Sequence, residues 1–122
     1  MSEIRSYRDL IAWQKAMALA KRIYGATRLF PKEEVYGLTQ QMRRAAASIA
    51  SNIAEGYGRG SRRDYVRFLH TARGSLYEVE TQVLLAKEMS YLTDKQAASL
   101  LEDTGECSKL LYALIKSLRE AR

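Results

Sequence analysis

Residues 40–63, QQMRRAAASIASNIAEGYGRGSRR, restrict what this chain can fold into more than any other stretch. Ala45, Ala46, Ala47, Ser48, Ala50, Ser51 and Ala54 leave a helix there with almost no bulky or charged side. A surface helix ordinarily keeps a polar face. This one calls for cover on more than one side, which points to close helix packing and to self-association. Gly56, Gly58 and Gly60 then break the pattern, and the expectation is that they supply positive φ at a corner. Arg62 and Arg63 open the helix beyond it.

Around this segment, apolar residues recur three and four apart, the spacing of a helical seam. A first helix is expected over about 10–28, capped by Asp9, on the seam Leu10, Trp13, Met17, Ala20 and Tyr24; Phe30-Pro31 ends it. The second, about 32–55, has Glu33 and Glu34 at its positive end and follows Val35, Leu38, Met42, Ala45 and Ile49. Its next seam position is Asn52, a polar residue that fixes register or partner choice at some expense in stability. The third, about 62–90, starts at Ser61 and follows Tyr65, Leu69, Ala72, Leu76, Val79, Val83 and Ala86. Thr93 with Gln96 reads as a capping box for the fourth, about 94–119, on Ala97, Leu100, Thr104, Cys107, Leu111, Leu114 and Leu118. Four such segments on short connections describe an all-α, antiparallel up-down-up-down four-helix bundle, with residues 1–122 as one domain. The in-helix glycines, Gly37 and Gly74 above all, suggest close helix approach.

The net charge of +6 is unevenly spread. Through Arg73 there are 14 Lys/Arg against 6 Asp/Glu, giving +8; from Gly74 onward there are 6 against 8, giving −2. Positive charge gathered in one half fits a polyanionic partner, nucleic acid before membrane, or a basic surface kept for solubility. A lone cysteine excludes an intrachain disulfide. Together with the lack of any apolar stretch of membrane-spanning length or signal-like leader, it leads us to expect a cytoplasmic protein without a membrane partner.

Arg62 and Arg63 stand where a helix dipole repels cations, at about 0.3–1 kcal/mol each. Asp64 and Glu55 are near enough in sequence to offset this. Alternatively Arg59, Arg62 and Arg63, with the free amides of the helix start, make a phosphate seat, which Arg67 and His70 extend one turn on. Arg43 and Arg44 add reach if an assembly brings them to the same surface. Tyr65 and Phe68 fall at core spacing, leaving Tyr57 as the aromatic expected to be exposed. The aromatics do not interleave with these arginines, so backbone and shape recognition of a folded RNA or duplex is expected rather than base readout.

No catalytic constellation emerges. His70 and Cys107 are single of their kind and give no nucleophile–base pair, and Glu78 and Glu80 diverge on a helix. Asn52 with Glu55 is expected to cap the corner rather than to react. No metal site and no cofactor are expected.

Tyr7-Arg8-Asp9-Leu10, Trp13-Gln14-Lys15-Ala16, Tyr36-Gly37-Leu38, Arg43-Arg44-Ala45-Ala46, Ser51-Asn52-Ile53-Ala54-Glu55-Gly56 with Gly58-Arg59, and Gly74-Ser75-Leu76 form a combination that resembles a known family. It is that of the four-helix-bundle proteins encoded by intervening sequences in bacterial 23S ribosomal RNA genes; the accessory protein of diversity-generating retroelements is similar. The resemblance implies ring-shaped homopentamers with basic surfaces, and for the retroelement relatives it implies contacts with nucleic acid and a reverse transcriptase. Carried over residue by residue, the nucleic-acid-binding positions are Arg43, Arg44, Arg59, Arg62, Arg63 and Arg67. Asn52, Glu55, Gly56 and Gly58 belong to the structural corner. The expected function is non-catalytic binding of RNA or another nucleic acid by a homo-oligomer. The alternative is an interaction scaffold or accessory subunit that docks an acidic or nucleic-acid-bound protein such as a reverse transcriptase.

Overall fold

A computed structural model describes residues 3–121. Four helices dominate: α1 (Ile11–Thr27), α2 (Leu38–Tyr57), α3 (Arg62–Glu88) and α4 (Asp94–Glu120). Short 3-10 turns at Tyr7–Asp9 and Lys32–Glu34 precede α1 and α2. Each helix packs on its sequence neighbours, and α4 closes back on α1. The contacts run in opposite senses along the α1–α4, α2–α3 and α3–α4 pairs, which fixes the sense of α1 against α2 as well. Lys15 meets Glu106 while Arg22 meets Asp103, Ser48 meets Ser75 while Gly56 meets Phe68, and Glu80 meets Thr104 while His70 meets Arg119. The bundle is therefore antiparallel.

Leu19, Ile23, Met42, Ile49, Ile53, Leu69, Leu76, Val79, Val83, Leu100 and Leu111 are buried inside it, drawn from all four helices. Removing such a side chain from water is worth about 1.5–3 kcal/mol. Cys107 and Thr104 sit on this seam as expected, 3% and 0% exposed.

Several expectations are corrected. On α1 the inward face is Ala12, Ala16, Leu19, Ile23 and Thr27, whereas Met17 and Tyr24 are 46% and 44% exposed. Helix α2 begins at Leu38 rather than near 32, and Val35 lies in the preceding turn, 52% exposed. Its start is held by Glu34, whose carboxylate accepts the Leu38 N–H at 3.0 Å and the Tyr91 hydroxyl at 2.8 Å. Asp9 does not cap α1; it closes a capping box with Ser6 around the first turn. Ser61 and the Thr93–Gln96 box cap α3 and α4 as the sequence predicts.

No glycine among the described residues has positive φ; the one residue that does is Ser90 (φ 63°), which ends α3. Gly56 is needed for space instead. An added Cβ would lie 2.8 Å from Phe68 Cβ and 3.1 Å from the Tyr65 carbonyl oxygen. Gly74 faces open space, and Gly37 would meet only the Glu34 side chain closely, so neither marks a close helix approach within the chain.

The small residues of α2 find much of their cover in the same chain. Ala45, Ala46 and Ala50 are buried in the chain's own core, and Ser48 bonds to Ser75 of α3 at 2.9 Å. Ala47 and Ser51 stay exposed, beside a groove lined by Trp13, Met17, Ala20 and Tyr24 of α1.

Candidate nucleic-acid interface

The six arginines named from the sequence fall into two groups. Arg59, Arg62, Arg63 and Arg67 gather at the α2–α3 corner, while Arg43 and Arg44 lie in the other half of α2. From Arg43 to Tyr57 the helix advances by fourteen residues, about 21 Å at 1.5 Å per residue. One chain does not bring the two groups together.

At the corner, Arg59 and Arg67 stack on Phe68, with guanidinium carbons 4.6 and 4.7 Å from the ring centroid. Phe68 is thus a half-buried platform under two cations rather than a core residue. Each of these arginines also has a carboxylate: Arg59 pairs with Glu55 at 3.2 Å and Arg67 with Asp64 at 3.6 Å. All four groups are well exposed, so the pairs hold their partners only weakly.

Neither acid pairs with Arg62 or Arg63 at the start of α3. Arg62 instead donates to the Ala121 carbonyl at the end of α4. There the exposed carbonyls carry the negative end of the α4 dipole, so a cation misplaced on one helix is well placed on another. Arg63 is exposed and has no ion pair among the described residues. Of the first-turn amides, that of Asp64 is already held by the Ser61 hydroxyl at 3.1 Å.

Arg43 has a different setting. It covers the Tyr24 ring at 4.9 Å and donates to Thr27 Oγ1 at 2.9 Å and to the Tyr24 carbonyl at 3.3 Å. These contacts fasten the end of α1 to α2. Arg44 is exposed beside it.

Asn52 does not cap the corner with Glu55. Its amide donates back to the Ser48 carbonyl at 2.8 Å and to Ser48 Oγ at 2.9 Å, extending the Ser48–Ser75 contact into a polar ladder between α2 and α3. Gly56 lies against Phe68 and Tyr65, and Gly58 ends the helix in ordinary helical conformation. Tyr57 is half-buried, edge-on to Tyr65 with centroids 6.1 Å apart. Burial and Tyr57 push the Tyr65 phenol up to about 12. The exposed tyrosines are Tyr24, Tyr36, Tyr77 and Tyr112.

Sequence reasoning missed a further basic group across α3 and α4, where Arg73, Lys116 and Arg119 line one cleft with Tyr112. The signal was present as Tyr112, Lys116 and Arg119 at four- and three-residue spacing, hidden by the net negative charge of that half of the chain. No helix of the described residues is long and apolar enough to cross a membrane. Among the described residues no three His, Cys, Asp or Glu side chains cluster as metal ligands would. Burial pushes the Cys107 thiol up to about 11, with the Asp103 and Glu106 carboxylates adding to the effect.

The family model described as "23S rRNA-intervening sequence protein" matches residues 8–113. Among solved structures, the chain is similar to a protein of unknown function from the S23 ribosomal protein family of Bacteroides thetaiotaomicron VPI-5482, with a TM-score of 0.80 and 29% identity. The match covers 87% of this chain and 96% of that one. No curated protein matches it.

Proposed function

Since the chain belongs to the 23S rRNA-intervening sequence protein family, we propose that it is a non-catalytic, self-associating protein that binds nucleic acid, RNA before DNA, through its phosphates. The observation that carries this reading is the corner itself. Arg59 and Arg67 lie over the Phe68 ring while Arg63 is left exposed and unpaired among the described residues. Cations already ordered on an aromatic ring lose little freedom when a phosphate arrives. Their carboxylate partners are exposed and release them at small cost. Phe68 is covered by two guanidiniums and is not free to stack on a base, which favours recognition of backbone and shape.

Self-association is supported by the face that α1 and α2 leave bare. Met17 and Tyr24 expose apolar surface across a shallow groove from Ala47 and Ser51, and small residues allow another helix to come close. A ring of copies, five as the resemblance implies, would repeat the arginine corner around one rim and pool its field.

Filter binding of a structured RNA over a salt series tests the reading. Affinity should fall with rising salt, by a logarithmic slope of about 0.9 per phosphate engaged. It should weaken further when Arg59, Arg62 and Arg63 are changed to Ala. An affinity indifferent to salt or to these substitutions refutes it. Binding that survives only as a nuclease-resistant protein complex would favour the scaffold alternative.

A further inference from the structure

Beyond the corner, where α3 and α4 run side by side, the His70 imidazole lies between two guanidiniums. Arg73 Nη2 is 3.0 Å from its Nδ1 and Arg119 Nη2 is 2.9 Å from its Nε2. A guanidinium has only donors. A neutral imidazole has one accepting nitrogen and one N–H, and a protonated one has two N–H groups. At most one of these contacts is therefore a hydrogen bond, and the other sets one N–H against another. No carboxylate relieves the arrangement: the ion pairs among the described residues involve none of His70, Arg73, Lys116 or Arg119. The adjoining cleft, about 290 Å³, has Ile115 as its buried floor and Tyr112 at its rim; Glu120 is the one acid lining it, against Arg73, Lys116 and Arg119.

We infer that His70, Arg73 and Arg119, with Lys116 at the edge, form a seat for a phosphate group. An oxyanion drawn in from the cleft settles where the ring N–H faces a guanidinium and accepts from both, with Lys116 in reach, which turns the opposed donors into charge-assisted hydrogen bonds. The phosphate can be free or part of a nucleic-acid strand. The seat stands on its own geometry, and only the second source rests on the function proposed above.

The charged groups in contact with the ring are Arg73 from α3 and Arg119 from α4, and Lys116 and Glu120 of α4 line the cleft beside those two arginines. Burial, Arg73 and Arg119 hold the imidazole below its ordinary 6.5. A bound anion reverses the balance of charge and favours the protonated ring. Binding therefore takes up a proton and weakens as pH rises.

His70 is the sole histidine of the chain, so its ring signals in a nitrogen–proton NMR titration report on this seat alone. Inorganic phosphate, and separately a short RNA without terminal phosphates, are added at constant ionic strength against a chloride control. Either should raise the titration midpoint of the ring by about one pH unit, and the rise should disappear in Arg119→Gln and in Arg73→Gln. Circular dichroism confirms that the variants fold. A response to phosphate alone identifies the free anion as the ligand; a response to RNA identifies the strand. A midpoint that neither ligand moves, or that moves equally in both variants, overturns the seat. Salt-dependent RNA binding with a silent His70 removes the seat and leaves the corner reading intact. A phosphate response without any RNA binding does the reverse.

Discussion

Gly56 and Phe68 sit so close that no side chain fits between them: a Cβ on Gly56 would stand 2.8 Å from Phe68 Cβ. The obstructing atoms are a Cβ and a backbone carbonyl, which cannot swing aside. Gly56→Ala should therefore destabilise the fold, an overpacking cost of about 1–3 kcal/mol outweighing the roughly 1 kcal/mol of helix propensity gained. Gly74→Ala, facing open space, should instead stabilise by about 0.5–1 kcal/mol. Urea midpoints of the two variants check both signs, and a Gly74 variant that loses stability would mean that another chain covers that position.

The same pair shows what the sequence disclosed and what it hid. Four helical periods and two caps, Ser61 and Thr93, were readable because they depend on residues three and four apart. The inward face of α1 was not. Leu10, Trp13, Met17, Ala20 and Tyr24 and the set Ala12, Ala16, Leu19 and Ile23 are both apolar at helical spacing, so periodicity cannot say which face meets the core. Glycines advertise conformational freedom and small size equally, and the corner uses the second. The Arg62–Ala121 and His70–Arg119 contacts join residues 59 and 49 apart, beyond the reach of any local pattern.

Arg43 and Arg63 should separate when tested side by side. Arg43 is tied to Thr27 and the Tyr24 carbonyl, so Arg43→Ala should cost about 1–2 kcal/mol of stability, mainly by stranding the hydrogen-bond partners it leaves. Arg63→Ala should change stability by less than about 0.5 kcal/mol while weakening RNA binding. Thermal melts and filter binding on the same two proteins would show this as opposite patterns.

Glu34 makes the bundle acid-sensitive. The Leu38 N–H and the Tyr91 hydroxyl hold its carboxyl below the ordinary value of 4.5. The folded state then binds fewer protons than the unfolded one in that range, so stability is present above 4.5 and falls as pH drops below it. Glu34→Gln should flatten that part of a stability–pH profile measured by urea unfolding, and a variant with an unchanged acid limb would refute the assignment.

Cys107 should behave as an inert thiol. It is 3% exposed and its thiol is pushed up to about 11, so little thiolate forms near neutrality. A thiol-specific reagent at pH 8 should leave the native protein unmodified and label it stoichiometrically in denaturant; rapid native labelling would show that the α4 seam opens.

An open α1–α2 face and a cationic corner belong to the same chain, and one sedimentation-velocity run reads both. Fluorescent structured RNA is mixed with the protein at low salt, beside Ala47→Glu, a substitution at an exposed position of the single chain. The prediction is that RNA sediments with several protein copies, and that Ala47→Glu yields folded single subunits with much weaker RNA binding. RNA moving at its free rate past a wild-type protein that sediments as one subunit would contradict the account.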